Sequence, residues 1–98
     1  MPKKTQKYVI IRARDAGVFA GYLVSNKGDS VVLRIARRLW YWAGAASLSQ
    51  LAQEGTSRPN ECKFPIAVTQ QQVNGVIEIL DVTAAAQASI EGVPVWRA

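Results

Sequence analysis

The sequence contains no histidine, a single cysteine (Cys62), a single methionine and no long apolar run. Each absence removes a class of function. Without histidine the chain lacks the side chain that most often serves as general base or transition-metal ligand near neutral pH. One cysteine and no histidine do not make a zinc site within one chain, so neither a metal nor another cofactor is expected. A lone cysteine forms no intramolecular disulfide, which suits a reducing compartment. No P-loop, Gly-x-Gly-x-x-Gly or Gly-x-Ser-x-Gly motif occurs. Carboxylates and lysines are present, but nothing marks a catalytic pair, and no enzyme is expected. No stretch approaches the roughly 18 residues of a membrane span, and the apolar run Tyr8 to Ile11 is too short for a signal peptide. The expectation is a soluble chain with no membrane partner.

What is present fits one small domain. The 98 residues, 49% hydrophobic, allow a single modest core, and domains of this size often gain stability by associating, so a homo-oligomer is expected. Charge is uneven. Residues 1–49 hold nine Lys or Arg against Asp15 and Asp29, whereas residues 50–98 hold three against five acids, so the halves carry +7 and −2. A basic half of this kind points to an anionic partner, a nucleotide or a nucleic acid. Residues 1–6 are expected to be a flexible basic arm.

Along the chain, Lys7 to Arg14 reads as a strand, Asp15-Ala16-Gly17 as a turn, Val18 to Val24 as a second strand and Ser30 to Ile35 as a third. Gly21 suggests a bend or a close backbone approach within the second strand. Ser47-Leu48-Ser49-Gln50 matches a capping box, which predicts a helix over Leu48 to Glu54 stopped by Gly55. Lys63 to Val68 reads as an edge strand because Pro65 cannot donate to a ladder, and Gln70 to Gly75 reads as a polar loop. Val76 to Val82 is a last strand, and Thr83 caps a helix over Ala84 to Glu91 ended by Gly92. The apolar tail Val93 to Trp96 is expected to pack on the body or on a neighbouring subunit. The order predicts an α+β fold: a small, mainly antiparallel sheet or partly open barrel of about five strands, with two short helices.

The unusual stretch is Val31 to Ser49, VVLRIARRLWYWAGAASLS. Extended, it places Arg34, Arg38, Trp40 and Trp42 on one face, with a bulge or bend expected near Ala36-Arg37. Helical after Leu33, it would instead place Arg34, Arg37, Arg38 and Tyr41 together. The β-branched and aromatic content favours the extended form. Arginine forks bind phosphate and aromatic faces stack on bases, so Arg34, Arg37, Arg38, Trp40, Tyr41 and Trp42 form the candidate ligand site. Ser47 at the helix start and Arg12 and Arg14 at the end of the first strand extend it. The competing reading keeps the tryptophans in the core and leaves only the arginines facing outward.

The blocks Ala20-Gly21-Tyr22-Leu23, Ala36 to Trp42 (ARRLWYW), Gly44 to Ala52 (GAASLSQLA) and Ile77 to Leu80 resemble a family of small uncharacterised proteins of tailed phages and prophages. That resemblance covers Tyr8 to about Ser89. It implies a viral accessory protein acting in the host bacterial cytoplasm. By analogy with phage sponge proteins, the expectation is a non-enzymatic protein that sequesters a nucleotide signal of anti-phage defence. The alternatives are a DNA- or RNA-binding accessory protein and an inhibitor of a host protein that uses its Trp/Arg surface.

Overall fold

The structure is a computed structural model that describes residues 7–97. The arm expected at residues 1–6 lies outside the described residues. Strands β1 (Tyr8–Ala13), β2 (Gly17–Lys27) and β3 (Ser30–Arg38) are followed by helix α1 (Leu48–Glu54) and a 3₁₀ turn (Pro59–Glu61). Strands β4 (Val68–Val73) and β5 (Val76–Asp81) and helix α2 (Ala84–Glu91) complete the fold. The five strands form one antiparallel sheet in the order β4-β3-β2-β1-β5. This is the expected small α+β fold, a curled sheet that does not close, carrying two helices.

The curl follows from the connection. β4 and β5 occupy opposite edges of the sheet, yet only Asn74 and Gly75 separate them, so the edges must come together at that end. Two main-chain bonds fasten the junction: Arg14 N–H donates to the Gly75 carbonyl (2.9 Å) and Val76 N–H to that of Asp29 (2.9 Å). Alternation along each strand then supplies two cores. The inner face packs Val9, Ile11, Phe19, Val31, Leu33 and Val73 on one another with no helix over them. The outer face packs Tyr8, Ile10 and Ala20 against Leu51 and Ala52 of α1, Ile90 of α2 and Val93. Cys62 and Phe64 complete that outer core.

Both helices start and stop where the capping residues dictate. Ser47 Oγ accepts from Gln50 N–H (3.2 Å), while Gln50 Oε1 reaches back to accept from Ala46 N–H (2.7 Å). Thr83 Oγ1 accepts from Ala86 N–H (3.1 Å) and also donates to the Gln53 carbonyl (2.8 Å), tying the start of α2 to the end of α1. The tail packs on its own body, with Val93 buried and Val95 bridged to Phe64.

Two sequence expectations require correction. Lys63 to Val68 is not a strand: Lys63 and Phe64 make only isolated bridges, to Tyr41 and Val95. Pro65 has no N–H to donate and its carbonyl is taken up by the Arg37 guanidinium, while Phe64 pairs only with the tail, its carbonyl accepting from Trp96 N–H. The fourth strand instead lies at Val68–Val73, overlapping the segment read as a polar loop. An edge strand of glutamines forms there because main-chain pairing with β3 and one buried anchor, Val73, suffice. β2 also runs on past Val24 to Lys27, so only Gly28-Asp29 turn the chain into β3.

Candidate functional site

Everything about the site depends on a bulge in β3. Ala20 pairs with Arg37 and Tyr22 with Arg34, so two steps along β2 face three along β3. The extra residue is Ile35, which sits at φ +51° and is 46% exposed. A β-branched residue rarely adopts that conformation. Opposite the bulge stands Gly21, where an added Cβ would lie 3.1 Å from both Ala36 Cα and the Arg34 carbonyl, so glycine permits the close approach. The consequence is a change of parity. Leu33 and Ala36 both face the inner core, Arg37 joins the outer face beside Ala20, and Arg38 falls on the side of Phe19. The chain stays extended through Arg38, so the helical alternative does not occur.

The three arginines therefore part company. Arg37 is buried, 6% exposed, and its guanidinium donates to four carbonyls: Pro65 (3.2 Å), Ile90 (2.9 Å), Phe64 (3.1 Å) and Val93 (2.6 Å). It also lies over the Phe64 ring at 5.4 Å. Burial pulls its pKa below the ordinary value, with the neighbouring Tyr8 and Cys62 opposing that shift. Arg37 thus ties β3 to the end of α2, the tail and the 64–65 segment. Arg34 is exposed on the outer face, opposite Tyr22 and Gln70 in the ladder.

Arg38 meets the aromatics. Its Nη1 donates to the Ala16 carbonyl (2.8 Å), and its guanidinium carbon sits 4.5 Å over the Phe19 ring. That contact brings the β1–β2 turn against the exit of β3. Between them lies a cleft of about 210 Å³ lined by Ala16, Gly17, Arg38, Leu39, Trp40 and Trp42. Leu39 N–H donates to the Val18 carbonyl (2.8 Å), which fixes the floor. Trp42 packs partly against the outer core, while Trp40 is 64% exposed. The segment stays in place because the amides of Trp40 and Tyr41 donate to the Lys63 carbonyl (3.2 and 3.3 Å) and Lys63 N–H donates back to Tyr41 (2.7 Å). Beyond it, Gly44 has φ +80°, and a Cβ there would come within 2.6 Å of Arg58 N, so the turn after Trp42 requires glycine. Thr56 Oγ1 donates to the Ala43 carbonyl and locks that turn to the 56–62 loop.

The remaining candidates divide. Arg14 is exposed in the same turn as Ala16 and so stands at the cleft's side, with Asp15 beside it. Arg12 is paired with Glu78, Nε to Oε1 at 2.9 Å, which compensates its charge. Tyr41 turns away to Lys63, whose Nζ lies 5.9 Å from the Tyr41 ring and 5.5 Å from that of Trp96. Ser47 is occupied as the cap of α1. No cluster of three or more potential metal ligands occurs among the described residues.

Sequence reasoning did not single out Ala16 and Gly17 as cleft walls, because long-range contacts, the Arg38–Ala16 and Leu39–Val18 bonds, carry that turn to the site. Nor did it single out Tyr8, the one hydroxyl in an otherwise aliphatic strand start, which lines a second and larger cavity.

A family model described as a domain of unknown function, DUF6948, matches residues 6–90. The chain belongs to that family. Among curated proteins and among solved structures, nothing matches. The DUF6948 match spans every strand and both cleft walls, ending within α2 at Ile90. No helix among the described residues is long and apolar enough to cross a membrane.

Proposed function

We propose that this DUF6948 protein is a non-enzymatic binding protein whose Arg38–Trp40–Trp42 cleft takes an anionic nucleotide. The observation that carries the reading is the juxtaposition in one cleft of an arginine and two tryptophans, one largely exposed and one anchored in the core. A half-exposed indole offers a stacking face, and a guanidinium offers paired donors to phosphate. Of the Arg38 nitrogens only Nη1 is hydrogen-bonded within the protein among the described residues, which leaves donors for a ligand. Arg14 in the adjoining turn adds positive charge, offset in part by Asp15.

Size narrows the mode of binding. Pockets that enclose a small ligand run from about 300 Å³ upward, and the cleft, at about 210 Å³, is smaller. One copy takes one base with its phosphate, and a larger messenger requires a second copy, so the proposed protein acts as a homo-oligomer. The finer reading follows from the resemblance to tailed-phage proteins: a phage accessory protein in the host cytoplasm that sequesters a nucleotide immune signal.

Calorimetry against cyclic dinucleotides, cyclic trinucleotides and cyclic ADP-ribose isomers tests this. Saturable heat for at least one ligand is expected, with the ligand recovered unchanged. Arg38→Ala and Trp40→Ala are each expected to weaken binding tenfold or more, since one stacked base contributes about 1–3 kcal/mol. Null heats across the panel would remove the proposal.

A second reading has its own observation. Trp40, Tyr41, Ile66 and Trp96 are all large and exposed, and Lys63 lies between the Tyr41 and Trp96 rings. Exposed aromatics beside a cation are common interface anchors. This favours an inhibitor that docks on a host protein, and copurification from host extract that is lost in Trp40→Ala and Tyr41→Ala would support it.

A further inference from the structure

A cavity larger than the Arg38 cleft belongs to neither reading. It measures about 300 Å³ and is lined by Tyr8, Ile35, Arg37, Ala67, Glu91 and the tail valines Val93 and Val95, sharing no residue with the Arg38 cleft. Its polar groups are in an unusual balance. Arg37 commits its guanidinium to four carbonyls and so works as a fixed wall. Glu91 is held by Gln87, whose Nε2 donates to its Oε2 (3.3 Å), and by the Tyr22 hydroxyl at 3.5 Å. The opposite charges of Arg37 and Glu91 both act on Tyr8 and pull its ionisation in opposite directions.

Tyr8 is the exception. Its residue is only 7% exposed, its ring stands edge-on to Tyr22 at 5.1 Å, and its hydroxyl has no hydrogen-bond partner among the described residues. No buried side-chain nitrogen or oxygen among the described residues lacks a partner, so this hydroxyl reaches the cavity surface, where a ligand oxygen can accept from it. The rest of the wall is aliphatic: Ile35, Ala67, Val93 and Val95. Ile35 is also held at φ +51°, a strained conformation of the kind that clusters at ligand sites.

We infer that this cavity is a second binding site, for a small uncharged molecule that is mostly apolar and carries one carbonyl or hydroxyl oxygen to accept from the Tyr8 hydroxyl. Volume fits such a ligand, because an apolar cavity of about 150 Å³ already holds benzene, leaving room for a ring with a polar substituent. A charged head is disfavoured, since Arg37 has its hydrogen bonds made and Glu91 repels an anion. Burial keeps the Tyr8 phenol protonated well above the ordinary range, so it remains a donor.

The test is an amide NMR titration with acetophenone, alongside ethylbenzene, which lacks the oxygen, and benzoate, which adds the charge. Acetophenone is expected to shift the amides of Ile35, Arg37, Ala67 and Val95 saturably and to bind at least fivefold tighter than either comparison molecule. Tyr8→Phe keeps the ring packing and is expected to reduce acetophenone affinity about tenfold while leaving ethylbenzene unchanged. Absence of shifts at those four amides, equal affinity in Tyr8→Phe, or tighter binding of benzoate would each overturn the assignment.

Discussion

At the scale of single residues, Arg37 and Arg38 show how adjacent, identical side chains acquire different tasks. Arg37 donates to four carbonyls; those of Phe64 and Ile90 also accept from the amides of Trp96 and Val93, whereas those of Pro65 and Val93 depend on Arg37. Leaving such acceptors unpaired carries their desolvation cost, and hydrogen bonds to a charged donor contribute about 1.5–3 kcal/mol each. Arg37→Ala is therefore expected to lower stability by about 3 kcal/mol or more in urea unfolding. Arg37→Lys should fall between that variant and the native chain, because an ammonium cannot span the same fork. A loss under about 1 kcal/mol for Arg37→Ala would contradict its role as a tie. Tyr8 gives a pH dependence. Burial first, with Glu91 adding to it and Arg37 opposing, raises its phenol above the ordinary 10.0. The folded state then holds a proton that the unfolded state releases, so the Tyr8 contribution is complete below pH 10 and declines as pH rises beyond it. The urea midpoint of the native chain should fall relative to that of Tyr8→Phe as pH rises above 10. Parallel pH profiles would be the contrary result.

At the scale of elements, the bulge in β3 is the feature that sets the site. Glycine tolerates positive φ without the penalty of about 1–2 kcal/mol that a side chain incurs there. Ile35 is half exposed and loses little burial on truncation. Ile35→Gly is expected to be neutral or to stabilise by up to about 1 kcal/mol, whereas Ile35→Val, which keeps the branched Cβ, should give no such gain. Thermal unfolding of the two variants distinguishes these outcomes, and a clear loss in Ile35→Gly would mean that the strain is not there. The bulge itself was legible within a residue or so, because the period-two pattern of Val31, Leu33 and Ile35 fails at Ala36-Arg37. Both helices were legible from Ser47, Gly55, Thr83 and Gly92, since caps act locally. The fourth strand was not, because Thr69 to Gln72 lack the alternation of a half-buried strand. Their structure comes from the neighbouring β3 ladder, which no local pattern encodes. Nor was the separation of the arginines, since Arg37 finds its carbonyls on α2, the tail and the 64–65 segment, up to 56 residues away.

At the scale of the whole molecule, the two-residue β4–β5 connection curls the sheet and leaves two cores, with the Arg38 cleft and the Tyr8 cavity on separate walls. The tail contributes to this architecture through Val93, whose carbonyl accepts from Arg37. The central claim, however, concerns the cleft at the other end of β3, where Arg38, Trp40 and Trp42 meet the β1–β2 turn. It is tested most directly by mass spectrometry of small molecules released on denaturing protein purified from bacteria with an active nucleotide-signalling defence. The account predicts an intact nucleotide released in near-stoichiometric amount from the native chain and lost from a folded Trp40→Ala variant. Release of no nucleotide from the native chain, or equal release from both, would contradict it.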